Sequence, residues 1–299
     1  DARITNSEGA GVNTHAGVAV YGNTNGFLGV SSGTRFEQSC VLVAGEGERM
    51  QRDYWYDSRR AYEDLEDAGE TGRIAAQRTV DRLGARKVAT GQFPVVFAAP
   101  VARGLVGHLI SAVSGGSLYR NASFLKDAAG TRLFPEWLSM RERPFTPRGS
   151  GSASFDSEGV ATRERDLVEN GILTGYVLSS YSARRLGLQT TGNAGGVHNL
   201  TLSGMALPEQ ELLQAAGTGL LVTELMGQGV SIVTGDYSRG ASGFWIEGGE
   251  IAYPVEEVTI AGNLKTLFGD IQALGGDLDD RGNVRTGSIM IGSMTVAGS

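Results

Sequence analysis

Apolar positions recur along this chain with two periods, and the switches between them predict its elements. "HAGVAVYGN", "GFLGVSSG", "FEQSCVLVAG" and "MQRDYWYDS" are short runs rich in Val, Phe, Tyr and Trp, separated by Gly and Asn, and read as strands. "GEGE" at 45–48 fits the hairpin loop between the last two. The period then lengthens: Ile74, Gln77, Val80 and Leu83 share one face of a helix over about 71–83, with Gly84 as its stop. "FPVVFAAP" reads as a buried strand leading into a helix over about 101–114.

Residues 141–159, "RERPFTPRGSGSASFDSEG", are dense in Pro, Gly and Ser and form the clearest loop, and so the place for a sub-boundary. Asn170-Gly171 between two strand-like runs predicts a hairpin. A short helix is expected at 180–186, and "LPEQELLQAAG" reads as another, with Glu in its first turn. Strands follow at 219–225, 229–236 and 243–247, and "EGGE" marks a tight turn. Leu264, Leu267, Phe268, Ile271 and Leu274 fit one face of a helix over 262–274, and strand-like "GSIMIG" and "MTVAG" close the chain. Hairpins dominate and helices are inserted between them. The pattern therefore predicts an α+β fold of mostly antiparallel sheets rather than βαβ repeats.

Composition narrows the picture. At 299 residues the chain can bury a large core without staples. Its 45 glycines, about twice the usual share, fall singly or in pairs between apolar runs, as turns and strand ends do. A net charge of −7 argues against a nucleic-acid partner, since phosphates call for a basic face. The basic clusters "DSRRAY" and "SARRLGL" read as solvated helix faces. Cys40 is the only cysteine, so intramolecular disulfides are impossible, and its neighbours suggest a buried strand thiol in a reducing compartment. No apolar run reaches the roughly 18 residues of a membrane span, and no signal peptide is visible. The chain opens without Met on what reads as structured sequence, so an N-terminal part is expected to be missing.

Candidate chemistry centres on "VARGLVGHLI", an apolar helix carrying His108, with Arg103 five residues earlier. The other histidines are His15, on a predicted strand, and His198, in "TGNAGGVHNL". A zinc site requires three or four converging ligands, and no H-E-x-x-H occurs. No G-x-S-x-G elbow and no phosphate-binding G-x-x-x-x-G-K-[ST] occurs either. The residues alone yield no complete catalytic constellation.

"FDSEGVATRERDLVENGILTGYVLSSYSARRLGL", "TGNAGGVHNL", "TELMGQGVSIVTGDYSRGASGFWIEGGEIAYPVEEVTIAGNL" and "GNVRTGSIMIG" together resemble the TldD/PmbA family, most closely its PmbA branch, also called TldE. The resemblance runs through essentially the whole chain and implies a metalloprotease-type C-terminal domain, with the family's N-terminal domain absent. In the TldD branch it implies a zinc peptidase with H-E-x-x-x-H on a helix and a Cys ligand near the C-terminus. Histidines five apart on an ideal helix diverge by about 140°, so such a helix must distort or end there. Here Gly107 and His108 match the last two motif positions, but Arg103 stands at the first His and Gly104 at the Glu. The Cys falls on Thr286, or on Gly287 with a one-residue slip. Two ligands and the base are replaced, and Arg103 adds a cation where a metal would sit. The resemblance thus implies no catalytic residue, metal or cofactor in this chain, and His108 as a histidine of a packed helix whose Gly107, Gly115 and Gly116 permit close approach to a sheet.

Further expectations follow from the resemblance: a cytoplasmic heterodimer with a zinc-bearing TldD-type subunit, a possible homodimer in isolation, and unfolded peptides as substrates, bound by strand addition. The stretch corresponding to "MGQGVSIVTGDYSRGASGFWIEGGEI" lies near the catalytic cleft in TldD subunits. Gly227, Gly229, Gly235, Arg239 and Gly240 are therefore the expected peptide-binding residues, with Arg239 in a Gly-rich loop that joins strands 229–236 and 243–247. Two alternatives stay open. One is a self-standing hydrolase joining His108 to His15 or His198; the other is a regulatory protein that contacts gyrase or a toxin–antitoxin system.

Overall fold

The computed structural model describes residues 1–298 as two compact units, one of residues 1–86 with 253–255, the other of residues 87–252 with 256–298. The fold is α+β with mostly antiparallel pairing, as the apolar periods predict. The division falls between Arg86 and Lys87. The loop at 141–159, expected as a sub-boundary, instead lies inside the second unit.

In the first unit, β1 (Ile4–Gly22) and β2 (Leu28–Ala44) form a long antiparallel hairpin, and β3 (Gln51–Arg59) pairs with the second half of β2, from Phe36 to Ala44. Beyond that pairing β1 and β2 continue as a two-stranded ribbon, with Val18, Val20, Leu28 and Val30 exposed. Helix α1 (Ala68–Asp81) starts three residues before its predicted position, because Asp67 accepts from the backbone N–H groups of Gly69 and Glu70 and caps it there. Cys40, expected buried, is half-buried in β2.

The second unit opens with β4 (Gly91–Phe97), which passes through Ala98 into α2 (Ala99–Ala112) and α3 (Gly115–Tyr119). Next come β5 (Ser139–Glu142) and the hairpin of β6 (Arg165–Glu169) and β7 (Ile172–Leu173), whose Asn170 and Gly171 both take positive φ, at 48° and 78°. Then follow α4 (Ser180–Leu186), β8 (Leu200–Ser203), β9 (Ala206–Leu207) and α5 (Glu209–Ala216). Strands β10 (Gly219–Met226), β11 (Asp236–Glu247) and β12 (Glu250–Asn263) form a meander. The chain ends with α6 (Leu264–Gly269), β13 (Ile271–Gly275), β14 (Val284–Arg285) and β15 (Ile289–Ala297).

One sheet has the order β12-β11-β10-β4-β15-β13-β9, and β12 also pairs with β15 through Thr259–Ala261, closing part of the sheet on itself. A second has the order β14-β8-β5-β6-β7. The helix expected over 262–274 is only α6. After Gly269 the chain extends, Ile271 pairs with Ile291, and Ile271 and Ala273 are buried while Gln272 points outward, which is a strand's alternation. Likewise 229–236 is not a strand. Gly227 and Gly235, at φ 78° and 85°, bound a turn, and the strand begins at Asp236.

The 141–159 loop is pinned by buried polar groups. Asn199 Oδ1 accepts from Gly151 N (2.8 Å), and its Nδ2 donates to Arg143 O and Ser152 Oγ. Beside it Glu142, 1% exposed, accepts from Arg165 Nε (2.8 Å), Asn193 Nδ2 (2.6 Å) and His198 N (2.6 Å). Removing that carboxylate strands the Arg165 charge in the interior. Glu142→Ala is expected to lower the unfolding free energy by about 3–5 kcal/mol in a urea titration, and a loss under about 1 kcal/mol would show the network to be dispensable.

Candidate functional site

Helix α2 owes its position to the strand before it. Ala98 N donates to Val222 O of β10 (3.0 Å), and Ala99 N donates to Ser288 Oγ (3.1 Å), which in turn donates to Asp277 Oδ2 (2.7 Å). Ala102, Leu105, Val106, Leu109 and Ala112 are buried, so this face anchors the helix. The other face carries Arg103, Gly104, Gly107 and His108. A Cβ at Gly104 or Gly107 would meet nothing within 4 Å. The expected close packing of Gly107 against a sheet is therefore wrong: this face borders open space. Gly115 does approach closely, but its neighbours are Ser182 and Leu178, and Gly116 has only the tip of Arg120 nearby.

His108 is half-buried, and neither ring nitrogen has a hydrogen-bond partner among the described residues. Its ring meets Tyr237 of β11 edge-on, with centroids 6.0 Å apart, and Tyr237 also meets Phe97 at 6.5 Å. Burial first, then the charge of Arg239, holds the His108 pKa below the ordinary imidazole value, so the ring is neutral at pH 7. Tyr237 is 2% exposed and its hydroxyl lacks a partner among the described residues. Burial pushes its pKa up to about 12, against a smaller opposing effect of Arg239.

The degenerate motif positions do converge. Arg103 reaches toward Gly282, where a Cβ would lie 3.5 Å from Nη1, and its charge acts on Asp279. Burial alone would raise the Asp279 pKa, but bonds from Arg281 Nε (2.9 Å) and Nη2 (2.8 Å) bring it down. Asp279 N donates to Thr286 O (3.0 Å). Thr286 is fully buried and its hydroxyl donates to Gly287 O (2.9 Å). A side chain at Gly287 would overlap the Gly275 carbonyl, so the slipped register places no ligand there. A cation beside His108 would meet the charge of Arg239, and beside Arg103 it would meet an Asp279 carboxylate already bound by Arg281. Among the described residues no group of three or more His, Cys, Asp or Glu is arranged to hold an ion. These residues do not fit zinc.

The other histidines stand elsewhere. His15 is exposed on β1, and His198 has Nδ1 and Nε2 each 3.2 Å from a carbonyl, those of Gly151 and Gly192. Of the five expected peptide-binding residues, Arg239 is the one whose charge reaches His108. It lies in β11, not in a loop, and its Nε donates to Met226 O (3.3 Å). Gly229 is required by the chain itself, since a Cβ there would overlap the Ser238 carbonyl. Gly227 and Gly235 serve the turn, and Gly235 is buried with its N–H on Ser231 O (2.8 Å). Gly240 has ordinary contacts, its Cβ position 3.4 Å from Met226 Cβ. Strands β10 and β11 are interior to their sheet, though β10 pairs with β4 only from Leu220 to Val222. Sequence reasoning missed Tyr237. Its i, i+2 spacing to Arg239 was the available signal, masked by reading this stretch as a loop.

Two family models match the chain: residues 1–83 match the PmbA/TldA metallopeptidase central domain and residues 90–298 its C-terminal domain. "Metalloprotease PmbA" of Escherichia coli O157:H7 is 50% identical over 298 residues, and a PmbA homolog of Haemophilus influenzae is 47% identical over 300. Both alignments take in all of this chain and 66% of the relative, so the chain spans about two thirds of their length. A Bacteroides thetaiotaomicron crystal structure described as a modulator of DNA gyrase superposes with a TM-score of 0.94 at 30% identity, covering 100% of this chain and 68% of that one. TldE of Thermococcus kodakarensis shares the fold, with a TM-score of 0.83 at 24% identity over 97% of this chain and 68% of its own. The class is thus the metallopeptidase fold of these relatives. The chain belongs to the PmbA/TldD metallopeptidase family, in its PmbA branch.

Because the buried Tyr237 keeps its proton to about pH 12 while an unfolded tyrosine loses it near pH 10, the unfolded state binds fewer protons in that window and stability falls as pH rises through it. Tyr237→Phe removes this loss. Urea unfolding at pH 8 and pH 11 is expected to show a smaller alkaline drop in the variant, and an equal drop would place the Tyr237 hydroxyl in water.

Proposed function

We propose that this chain is the non-catalytic, PmbA-type subunit of a cytoplasmic metalloprotease that degrades or processes unfolded peptides, with zinc and the catalytic base supplied by a TldD-type partner. The observation that carries the reading is the replacement on α2: Arg103 and Gly104 stand where the family's first ligand and base would be, and the remaining His108 is neutral beside Arg239. The relatives named metalloprotease support the activity class. The cytoplasmic location draws on the single cysteine and on the finding that, among the described residues, no helix is long and apolar enough to cross a membrane.

Joining His108 to His198 in a self-standing hydrolase is disfavoured by the two carbonyls that face the His198 ring. The description of the Bacteroides relative raises a gyrase-directed role, in which the chain would bind its target without a TldD-type partner.

Elemental analysis of the purified chain is expected to find no stoichiometric zinc, and about one zinc per chain, lost in His108→Ala, would overturn the reading.

Co-expression with a TldD-type subunit is expected to give a heterodimer by size analysis and peptide cleavage that neither chain supports alone. Within that pair Gly240→Ala is the informative change, because Gly240 tolerates a Cβ whereas Gly229 does not. It should lower cleavage several-fold with the chain still folded; unchanged cleavage would reduce this part of β11 to scaffold.

A further inference from the structure

We propose that the open face of α2 and the Tyr237–Arg239 stretch of β11 form a carboxylate subsite that receives the C-terminal end of a peptide, with Arg239 as its anchor and His108 and Tyr237 as neutral donors. This deepens the peptide-handling reading and rests on it.

Three polar groups with unused hydrogen-bonding capacity meet here. The Tyr237 hydroxyl is buried and without a partner among the described residues. Leaving such a donor unsatisfied carries the cost of its lost hydration, and a ligand oxygen would remove that cost. The half-buried His108 has an N–H and a ring nitrogen that also lack a partner among the described residues, its ring 6.0 Å from the tyrosine ring. Arg239 is engaged only through Nε, which leaves both Nη groups without a partner among the described residues. Beside them, Gly104 and Gly107 keep the helix surface clear.

The charges select the ligand. Tyr237 and Arg239 from β11 face His108, while Arg103 on the same helix acts on Asp279, which Arg281 also binds. The surroundings are therefore cationic in a chain of net charge −7. A metal dication is repelled, and an anion is accepted. The planar guanidinium matches a carboxylate through two parallel N–H groups, and one such cation balances one negative charge, whereas phosphate carries nearly two.

The backbone favours a chain end over a passing strand. β11 is flanked by β10 and β12, and at Ser238 the neighbouring turn folds back onto it, with Ser238 N donating to Gly229 O (2.6 Å) and Ser231 N to Asp236 O (2.9 Å). The β11 backbone at Asp236 and Ser238 is thus covered, and a ligand reaches Arg239 at its side chain, as a terminal carboxylate would.

The chain has three histidines, which makes the test direct. Histidine side chains are labelled with nitrogen-15 and followed by NMR at pH 7.5 and constant ionic strength. The added probes are N-acetyl-tetra-alanine with a free carboxylate, the same peptide as its C-terminal amide, and inorganic phosphate. The acid is expected to move the His108 signals while His15 and His198 stay in place, and to bind at least about tenfold more tightly than the amide or phosphate. Arg239→Gln should abolish the preference of acid over amide, and Tyr237→Phe should weaken acid binding about threefold to tenfold, with thermal melting confirming that both variants fold. The proposal is overturned if acid and amide bind alike, if phosphate binds as tightly as the acid, or if His108 does not respond. A pair that cleaves peptides while acid and amide bind alike sinks the subsite and leaves the heterodimer reading standing. A chain that discriminates acid from amide yet supports no cleavage with the TldD-type subunit keeps the subsite and loses that reading.

Discussion

The single residue between β4 and α2 is the constraint on which the site depends. β4 lies in the middle of its sheet, between β10 and β15, and after Ala98 the chain is already helical. With one residue of slack, the helix direction follows from the strand's. The bonds from Ala98 N to Val222 O and from Ala99 N to Ser288 Oγ remove the remaining freedom. Every contact made by the exposed face of α2 follows from that junction: His108 comes to β11, and Arg103 comes to the segment between β13 and β14. The buried face, from Ala102 to Ala112, holds the arrangement through apolar burial alone.

On this scaffold the family's metal position has changed sign. A zinc helix presents lone pairs to a cation; here the equivalent turn presents a guanidinium and a glycine, and the one retained imidazole sits within the field of Arg239. The position of the third ligand is closed as well. Thr286 is buried with its hydroxyl turned onto its own backbone, and Gly287 lies against the Gly275 carbonyl. Among the described residues, the lining at Arg103, Gly104 and Thr286 therefore offers a cation no set of converging ligands.

The rest of the second unit is held by buried polar groups as much as by its apolar core. Glu142 binds three partners from two segments, and Asn199 and Asp156 tie the Gly- and Ser-rich stretch to the segment 194–199. Low-complexity composition here does not mean a linker. Small residues let the chain run close to Asn199, which a Cβ at Gly149 or Gly151 would strike. The abundance of glycine has the same origin along much of the chain: at Gly229, Gly243 and Gly287 the clash is with another backbone carbonyl, those of Ser238, Leu221 and Gly275.

What the sequence by itself determined is local. The Asn170-Gly171 and Gly248-Gly249 turns, the strand alternation, the apolar faces of α2 and α5 and the departures at Arg103 and Gly104 are all readable because turn preference and side-chain periodicity act over a few residues. Where two local periods fitted one stretch, as at 262–274, the pairing of Ile271 with Ile291 decided, and that partner lies outside any local window. Only the tertiary structure could bring Tyr237 and Arg239 to His108, leave Gly107 facing open space, and move the domain division to Arg86. Those outcomes depend on which distant segments pack together, and spacing along the chain carries no measure of distance across it.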